Sequence, residues 1–178
     1  PDYAMTNAAE RLENASAKGY DVLKKEHLED YQKLFSRVEL DLGGSYQENE
    51  ETDQLLAAWK SASSSGAQNH YLEELYFQYG RYLLIAASRE DSLPSNLQGI
   101  WNDRTFADWQ SDYHTNINLQ MNYWPAFTTN LAETGMSLVN YVDSLQEPGA
   151  ETARKLFGTE NAWMVNCSTN ALGFTGNI

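Results

Sequence analysis

The chain has 178 residues, with 25 acidic and 12 basic side chains and a formal net charge of −13. This length is enough for one domain with a sizeable core. The acidic balance argues against nucleic acid and anionic membranes as partners, because both are bound through a basic surface.

The sequence contains no metal-binding motif and no membrane-spanning segment. Cys167 is the only cysteine, so no internal disulfide can form, and the three histidines are too scattered for a zinc motif. We therefore expect no metal and no other cofactor. No apolar run approaches the ~20 residues that span a bilayer, so no membrane insertion is expected.

Helical periodicity dominates the first half of the chain. A first helix is expected to end at Gly19, and a second one continues to Val38. Residues 38–42 alternate apolar and acidic side chains, which predicts a short half-buried strand. A short helix is predicted from Thr52, with a flexible connector after it at residues 61–66.

A longer helix is predicted at about residues 69–88. Its second half is apolar all round, which indicates burial on several sides. Residues 89–113 then form a connection longer than the ~15 residues of ordinary loops, which favours a functional role. An amphipathic helix between Leu131 and Leu145 and a short helix ending at Gly158 follow. The whole chain is expected to form one all-α domain.

The most distinctive segment consists of two runs, residues 92–102 and 112–125, in which carboxamides alternate with large aromatic rings. Carboxamides donate and accept hydrogen bonds without charge, and flat rings stack on the apolar faces of sugars, so this mixture suits a neutral polyhydroxylated ligand. Alternatively, the amides cap helices and satisfy backbone groups in a long irregular segment. The residues are Asn96, Gln98, Asn102, Asn116, Asn118, Gln120 and Asn122, with Trp101, Trp109, Tyr113, Tyr123, Trp124 and His114.

Three sequence runs carry a family resemblance. They are YGRYLLIAAS at residues 79–88, LPSNLQGIWN at 93–102 and NINLQMNYWP at 116–125, with RVELDLG at 37–43 in addition. Together they resemble glycoside hydrolase family 95, whose members are inverting α-L-fucosidases, mostly 1,2-α-L-fucosidases, with some α-L-galactosidases. The resemblance extends from about Ala8 to the end of the chain.

The resemblance implies an all-α fold, the N-terminal portion of a longer (α/α)6 barrel. It implies a secreted, periplasmic or cell-surface bacterial parent enzyme that removes terminal α-L-fucose from a fucosylated oligosaccharide or glycan. The catalytic acid of that parent would lie beyond Ile178, so residues 1–178 alone are expected to be inactive. A partial barrel exposes an apolar face, so this chain is expected to self-associate.

The resemblance also assigns roles within the segment. In the family's Asn-x-Asn motif the second asparagine handles the attacking water and the first lines the site, which implies catalytic roles for Asn118 and Asn116. A neutral amide is too weak a base to take a proton alone, so it is expected to orient the water while a distant aspartate polarises its NH2. Substrate contacts are expected from His114, Trp101 and Asn102.

The segment's own carboxyl groups are weaker candidates. An inverting glycosidase usually needs a carboxylic acid and a carboxylate about 6.5–9.5 Å apart. Asp103, Asp108 and Asp112 lie in no pattern that marks one as that acid, and loop or capping roles explain them more simply. Two other classes of protein stay open from the residues: a non-catalytic helical carbohydrate-binding module and a purely structural α/α domain.

The spacing of the two asparagines makes a structural prediction. Residues i and i+2 point about 200° apart in an α-helix, whereas they share a side in an extended segment. We therefore predict a non-helical stretch at residues 113–117 that brings His114, Asn116 and Asn118 to one face. A helix should start near Asn118 and reach about Trp124, without a capping bond from the Asn118 side chain.

Overall fold

The computed structural model describes residues 2–46, 48–62 and 70–176, which belong to two compact units, Pro1–Arg37 and Val38–Ile178. The first unit contains helices α1 (Asp2–Lys18) and α2 (Tyr20–Phe35). Gly19 separates them with a φ of 76°, a left-handed conformation that glycine adopts without steric cost. The predicted break at Gly19 is confirmed, although α2 ends at Phe35 and not at the predicted Val38.

The second unit is also helical, which confirms the prediction of an all-α fold. One short antiparallel pair of strands is present, with Tyr113 opposite Thr169 and His114 opposite Ser168. Of the connector predicted at residues 61–66, residues 61 and 62 belong to α3 and the rest lies outside the described residues. The elements are α3 (Thr52–Ala62), α4 (Tyr71–Ala87), a single turn (Asp108–Ser111), β1 (Tyr113–His114), α5 (Asn118–Thr128), α6 (Ala132–Ser144), α7 (Gln146–Phe157) and β2 (Ser168–Thr169).

Helix α5 lies at the centre of this unit and packs against α4, α6 and β1. Its Leu119, Tyr123 and Ala126 are buried. The amphipathic helix predicted between Leu131 and Leu145 forms as α6, and Thr134 and Ser137 lie on its buried side with Gly135. Small hydroxyl residues fit here because each hydroxyl donates to the carbonyl three residues earlier, Thr134 to Leu131 and Ser137 to Thr134.

The strand predicted at residues 38–42 does not form. Val38 and Leu40 are half-buried, as the alternation suggested, but no neighbouring strand among the described residues pairs with them. The Val38 carbonyl instead accepts hydrogen bonds from the side chains of Gln78, at 2.8 Å, and Arg81, at 3.1 Å. Side chains of α4 therefore satisfy the backbone that a sheet would otherwise pair.

Glu74 holds the next residues against the start of α4. Its carboxylate accepts from the backbone N–H groups of Leu42, at 2.6 Å, and Gly44, at 3.0 Å. A Cβ atom at Gly44 would lie 2.3 Å from the backbone nitrogen of Tyr71, so only glycine allows this approach.

The second half of α4, for which burial on several sides was predicted, is buried at Arg81, Leu84, Ile85 and Ala87, but Tyr82 is 41% exposed. In the first half, Tyr76 and Tyr79 are exposed by 78% and 53%. The three tyrosines are three residues apart and therefore lie along one side of the helix.

No helix in the described part of the chain is long and apolar enough to cross a membrane.

Arg81 is a buried hydrogen-bonding residue, only 1% exposed. Its guanidinium donates to the carbonyls of Val38 and Thr129 and to the Gln78 side chain. Arg81 thereby connects α4 to the segment after α2 and to the end of α5.

We predict that Arg81→Met lowers the free energy of unfolding by about 3 kcal/mol, because the buried Thr129 carbonyl loses the Arg81 donor and the Val38 carbonyl keeps only Gln78. Urea denaturation measures this effect. Arg104→Met, which changes an exposed arginine of the same unit, is the control and should stay within about 0.5 kcal/mol of the unsubstituted protein. Equal effects of the two substitutions would contradict the structural role of Arg81.

Candidate functional site

The Tyr123 hydroxyl holds the amide-rich segment in place. It contacts the hydroxyls of Ser88, at 2.6 Å, and Ser137, at 3.1 Å, and accepts a hydrogen bond from the backbone N–H of Ser95, at 2.7 Å. Tyr123 is only 3% exposed. One phenol on α5 thus joins the end of α4, the start of the segment and α6 in a buried network of hydroxyl groups.

Five of the seven amide side chains in the segment bind the protein's own backbone. For these five, the structural alternative raised by the sequence holds. Asn96 accepts from the Gln98 N–H, Gln98 donates to the Asp108 carbonyl, Asn102 bonds both the N–H and the carbonyl of Arg104, Gln120 donates to the Thr115 carbonyl, and Asn122 donates to the carbonyls of Ser95 and Asn96.

Asn116 and Asn118 are the two exceptions. Both are exposed, and neither side chain forms a hydrogen bond with any residue that the structure describes. They precede and begin α5, where the Met121 N–H bonds to the carbonyl of Ile117. Their amide groups are therefore available to a ligand, whereas the other five are engaged. The exposed Gln110, which lies between the two runs, also forms no side-chain hydrogen bond with the described residues.

The backbone around the asparagines has the predicted form. Residues 113–117 are not helical and α5 begins at Asn118, although it continues beyond Trp124 to Thr128. Only Tyr113 and His114 are extended, and a turn covers residues 115–117. The shared face of His114, Asn116 and Asn118 was argued from an extended stretch and stays a prediction.

Two buried tyrosines support the strand that carries His114. The rings of Tyr113 and Tyr141 are 4.8 Å apart between centroids. Burial raises the pKa of Tyr113 to about 12, with further contributions from the neighbouring phenols of Tyr141 and Tyr123. Burial also raises the pKa of Tyr141, whose hydroxyl donates to the Asn170 carbonyl. Both phenols are therefore neutral at physiological pH and have a packing role, while His114 beside them is half-buried.

Trp101 lines a cavity of about 420 Å³ between α4, α5 and the turn at Asn96–Gly99. The ring lies against Gly99, where a Cβ atom would come within 2.7 Å of it, and Gly99 also has a φ of 68°. Leu83 and Pro125 give this cavity apolar walls. A half-exposed indole above apolar and amide groups can stack on a sugar ring, and the predicted Trp101 contact stays a prediction.

The remaining sequence candidates are Asn102 and three aspartates. The side-chain amide and oxygen of Asn102 both bond to the Arg104 backbone, and its predicted substrate contact stays a prediction. Asp103 and Asp108 are exposed, and Asp112 is half-buried. Among the described residues, no group of three or more His, Cys, Asp or Glu side chains could hold a metal ion.

The helical fold, the unbonded amides of Asn116 and Asn118 and the half-exposed Trp101 ring are features expected of a helical carbohydrate-active domain. Residues 19–178 match the model of the glycosyl hydrolase family 95 catalytic domain, and the chain belongs to that family. The resemblance found in the sequence is thereby confirmed.

Three relatives from fungi and a plant agree with this assignment. The chain is 41% identical over 166 residues to "Probable alpha-fucosidase A" of Aspergillus niger, which covers 91% of this chain and 20% of that protein. It is 42% identical over 158 residues to the protein of the same name from Aspergillus oryzae, covering 88% and 21%. For "Alpha-L-fucosidase 2" of Arabidopsis thaliana the identity is 41% over 157 residues, covering 88% and 18%. The chain thus spans about a fifth of the length of these relatives.

We predict that Tyr123→Phe destabilises the protein by about 1–3 kcal/mol, because the Ser95 N–H and two serine hydroxyls lose a buried partner. Thermal unfolding measures the change. The matched control is Tyr76→Phe, which removes the hydroxyl of an exposed tyrosine and should have almost no effect. If Tyr123→Phe were equally neutral, the hydroxyl network would not hold the segment.

Proposed function

We propose that this chain is the water-handling part of an inverting α-L-fucosidase that removes terminal fucose, α-1,2-linked, from glycans. Membership of glycoside hydrolase family 95 and the printed names of the three relatives support the reaction class. The observation that carries the proposal is the pair Asn116 and Asn118, whose amides form no hydrogen bond with the described residues. The other amides of the segment are engaged with backbone groups.

In the proposed reaction, water attacks the anomeric carbon of fucose from the face opposite the leaving oxygen. The bond from that carbon to the leaving oxygen breaks, and a carboxylic acid protonates the oxygen. The Asn118 amide oxygen accepts a hydrogen bond from the water and so directs the water's lone pair at the carbon. The water's proton passes to a carboxylate, because an amide is too weak a base to keep it.

The other residues of the segment bind the sugar in this proposal. Asn116 lines the site beside the water, His114 contacts the fucose hydroxyl groups, and Trp101 and Asn102 contact the rest of the glycan. The acid and the carboxylate are supplied by the part of the catalytic domain that this chain does not span, since its relatives are about five times longer.

A non-catalytic carbohydrate-binding module is the alternative. The cavity beside Trp101 favours it, because an indole and amide groups can bind a sugar without any chemistry. The two functions differ in one measurement: the full-length protein either releases fucose from a 2′-fucosylated oligosaccharide or binds the oligosaccharide and leaves it intact.

We predict that Asn118→Ala in the full-length enzyme lowers kcat by on the order of 10²-fold or more and changes KM less, because water positioning acts mostly in the transition state. Asn116→Ala should also reduce turnover. The control is Asn140→Ala, which removes an exposed amide that donates to the Glu90 carbonyl elsewhere in the chain. Near-normal kcat in both Asn116→Ala and Asn118→Ala would show that the catalytic roles are assigned wrongly.

The isolated 178-residue chain is predicted to release no fucose above a buffer control, because it lacks the proposed acid. It should also self-associate and bind a hydrophobic dye through the exposed tyrosines of α4. Fucose release assays and light scattering measure the two properties. Measurable hydrolysis by this chain would mean that its own carboxyl groups suffice for catalysis.

A further inference from the structure

Thr115, which lies between His114 and the two asparagines, is anchored at three points. Its backbone N–H donates to the Cys167 carbonyl at 2.9 Å. Its hydroxyl donates to the Asn166 carbonyl at 2.6 Å, and its own carbonyl accepts from the Gln120 side chain, also at 2.6 Å. All the polar groups of this residue are thus engaged with its neighbours.

Gln120 closes the turn from the other side. It is an exposed residue in the first turn of α5, and its side-chain amide reaches back five positions to Thr115. Asn116, Ile117 and Asn118 lie inside the loop that this bond closes. The bond therefore ties the start of α5 to the residue that precedes both asparagines.

The segment before the turn is fixed as well. His114 pairs with Ser168, and Tyr113 pairs with Thr169 and is buried beside Tyr141. The backbone is therefore held upstream by the strand pair and downstream by Gln120. The amides of Asn116 and Asn118, which lie between these anchors, form no bond with the described residues.

We propose that Thr115 and Gln120 are positioning residues, which hold the Asn116–Asn118 turn so that both amides face the substrate in one fixed arrangement. The inference rests on the proposed function. A water-orienting amide works only within a narrow range of position, and a displacement of about 1 Å can cost on the order of 10²-fold in rate. Anchoring the backbone on both sides restricts this displacement while leaving the amides free to bind.

The test is steady-state kinetics of the full-length enzyme on a 2′-fucosylated oligosaccharide, together with thermal unfolding. Gln120→Ala removes the donor to Thr115, and Gln120→Glu keeps the size but places a carboxylate against the Thr115 carbonyl. Thr115→Val keeps the shape and removes the hydroxyl donor, whereas Thr115→Ser retains it. Asn140→Ala is the control, since it removes an amide-to-carbonyl bond of the same kind far along the chain.

We expect Gln120→Ala, Gln120→Glu and Thr115→Val to lower kcat about tenfold with KM changed less than about threefold, and Thr115→Ser to keep near-normal kcat. A residue that merely stabilises the fold would lower the unfolding temperature without this selective loss of kcat. If Thr115→Val does not fold, the two Gln120 variants decide, because Gln120 is exposed.

The inference is overturned if the Gln120 and Thr115 variants have the kcat of Asn140→Ala while Asn118→Ala is strongly impaired. In that case the proposed function stands without the positioning residues. If Asn118→Ala itself keeps near-normal kcat, both proposals are contradicted: the water-orienting role of Asn118 and the positioning role of Thr115 and Gln120.

Discussion

The buried hydroxyl of Tyr123 is the interaction on which the arrangement of the site depends. Three parts of the chain that are distant in sequence meet at this one oxygen: Ser88 after α4, Ser95 in the amide-rich segment, and Ser137 in α6. Because the Ser95 N–H is buried, it needs an acceptor, and Tyr123 supplies one from the helix that begins at Asn118. The segment and the two asparagines are therefore held by the same helix.

The seven amides of the segment divide into two groups by the bonds that they form. Five satisfy backbone groups in an irregular stretch, where unpaired N–H and carbonyl groups would otherwise be costly. Asn116 and Asn118 do not, and the register of α5 explains why. Ile117, not Asn118, occupies the N-cap position, and the cap has no side-chain hydrogen bond. A capping side chain stabilises a helix by about 1 kcal/mol, and α5 lacks this contribution. The Asn118 amide is therefore not used as a cap.

Local signals in the sequence predicted much of this fold. The breaks at Gly19 and Gly158 follow from the left-handed conformation at each glycine, and the helix start at Asn118 follows from the change of period. The strand at residues 38–42 was wrong because a strand needs a partner, and residues 38–42 instead lie against side chains of α4. Periodicity also could not show that one side of α4 stays exposed, since that depends on what packs against it.

The parts of the site that the sequence did not reveal depend on contacts between distant positions. Tyr123 and Ser137 lie at inward helical positions with no local pattern to mark them. Thr115 has an ordinary place between two motif residues, and its partners Asn166 and Cys167 lie about fifty residues away. Asn116 and Asn118 were named from the family motif, but only the structure shows that their amides, unlike the other five of the two runs, form no bond with the described residues.

The most direct test of this account is a crystal structure of the full-length protein with a fucose-configured inhibitor. We expect the Asn118 amide oxygen to accept a hydrogen bond, at about 3 Å, from an ordered water below the anomeric carbon and opposite the leaving group. The Thr115–Gln120 bond should be intact in that complex. An Asn118 amide that is bonded to the protein backbone, or that points away from the bound sugar, would contradict the account.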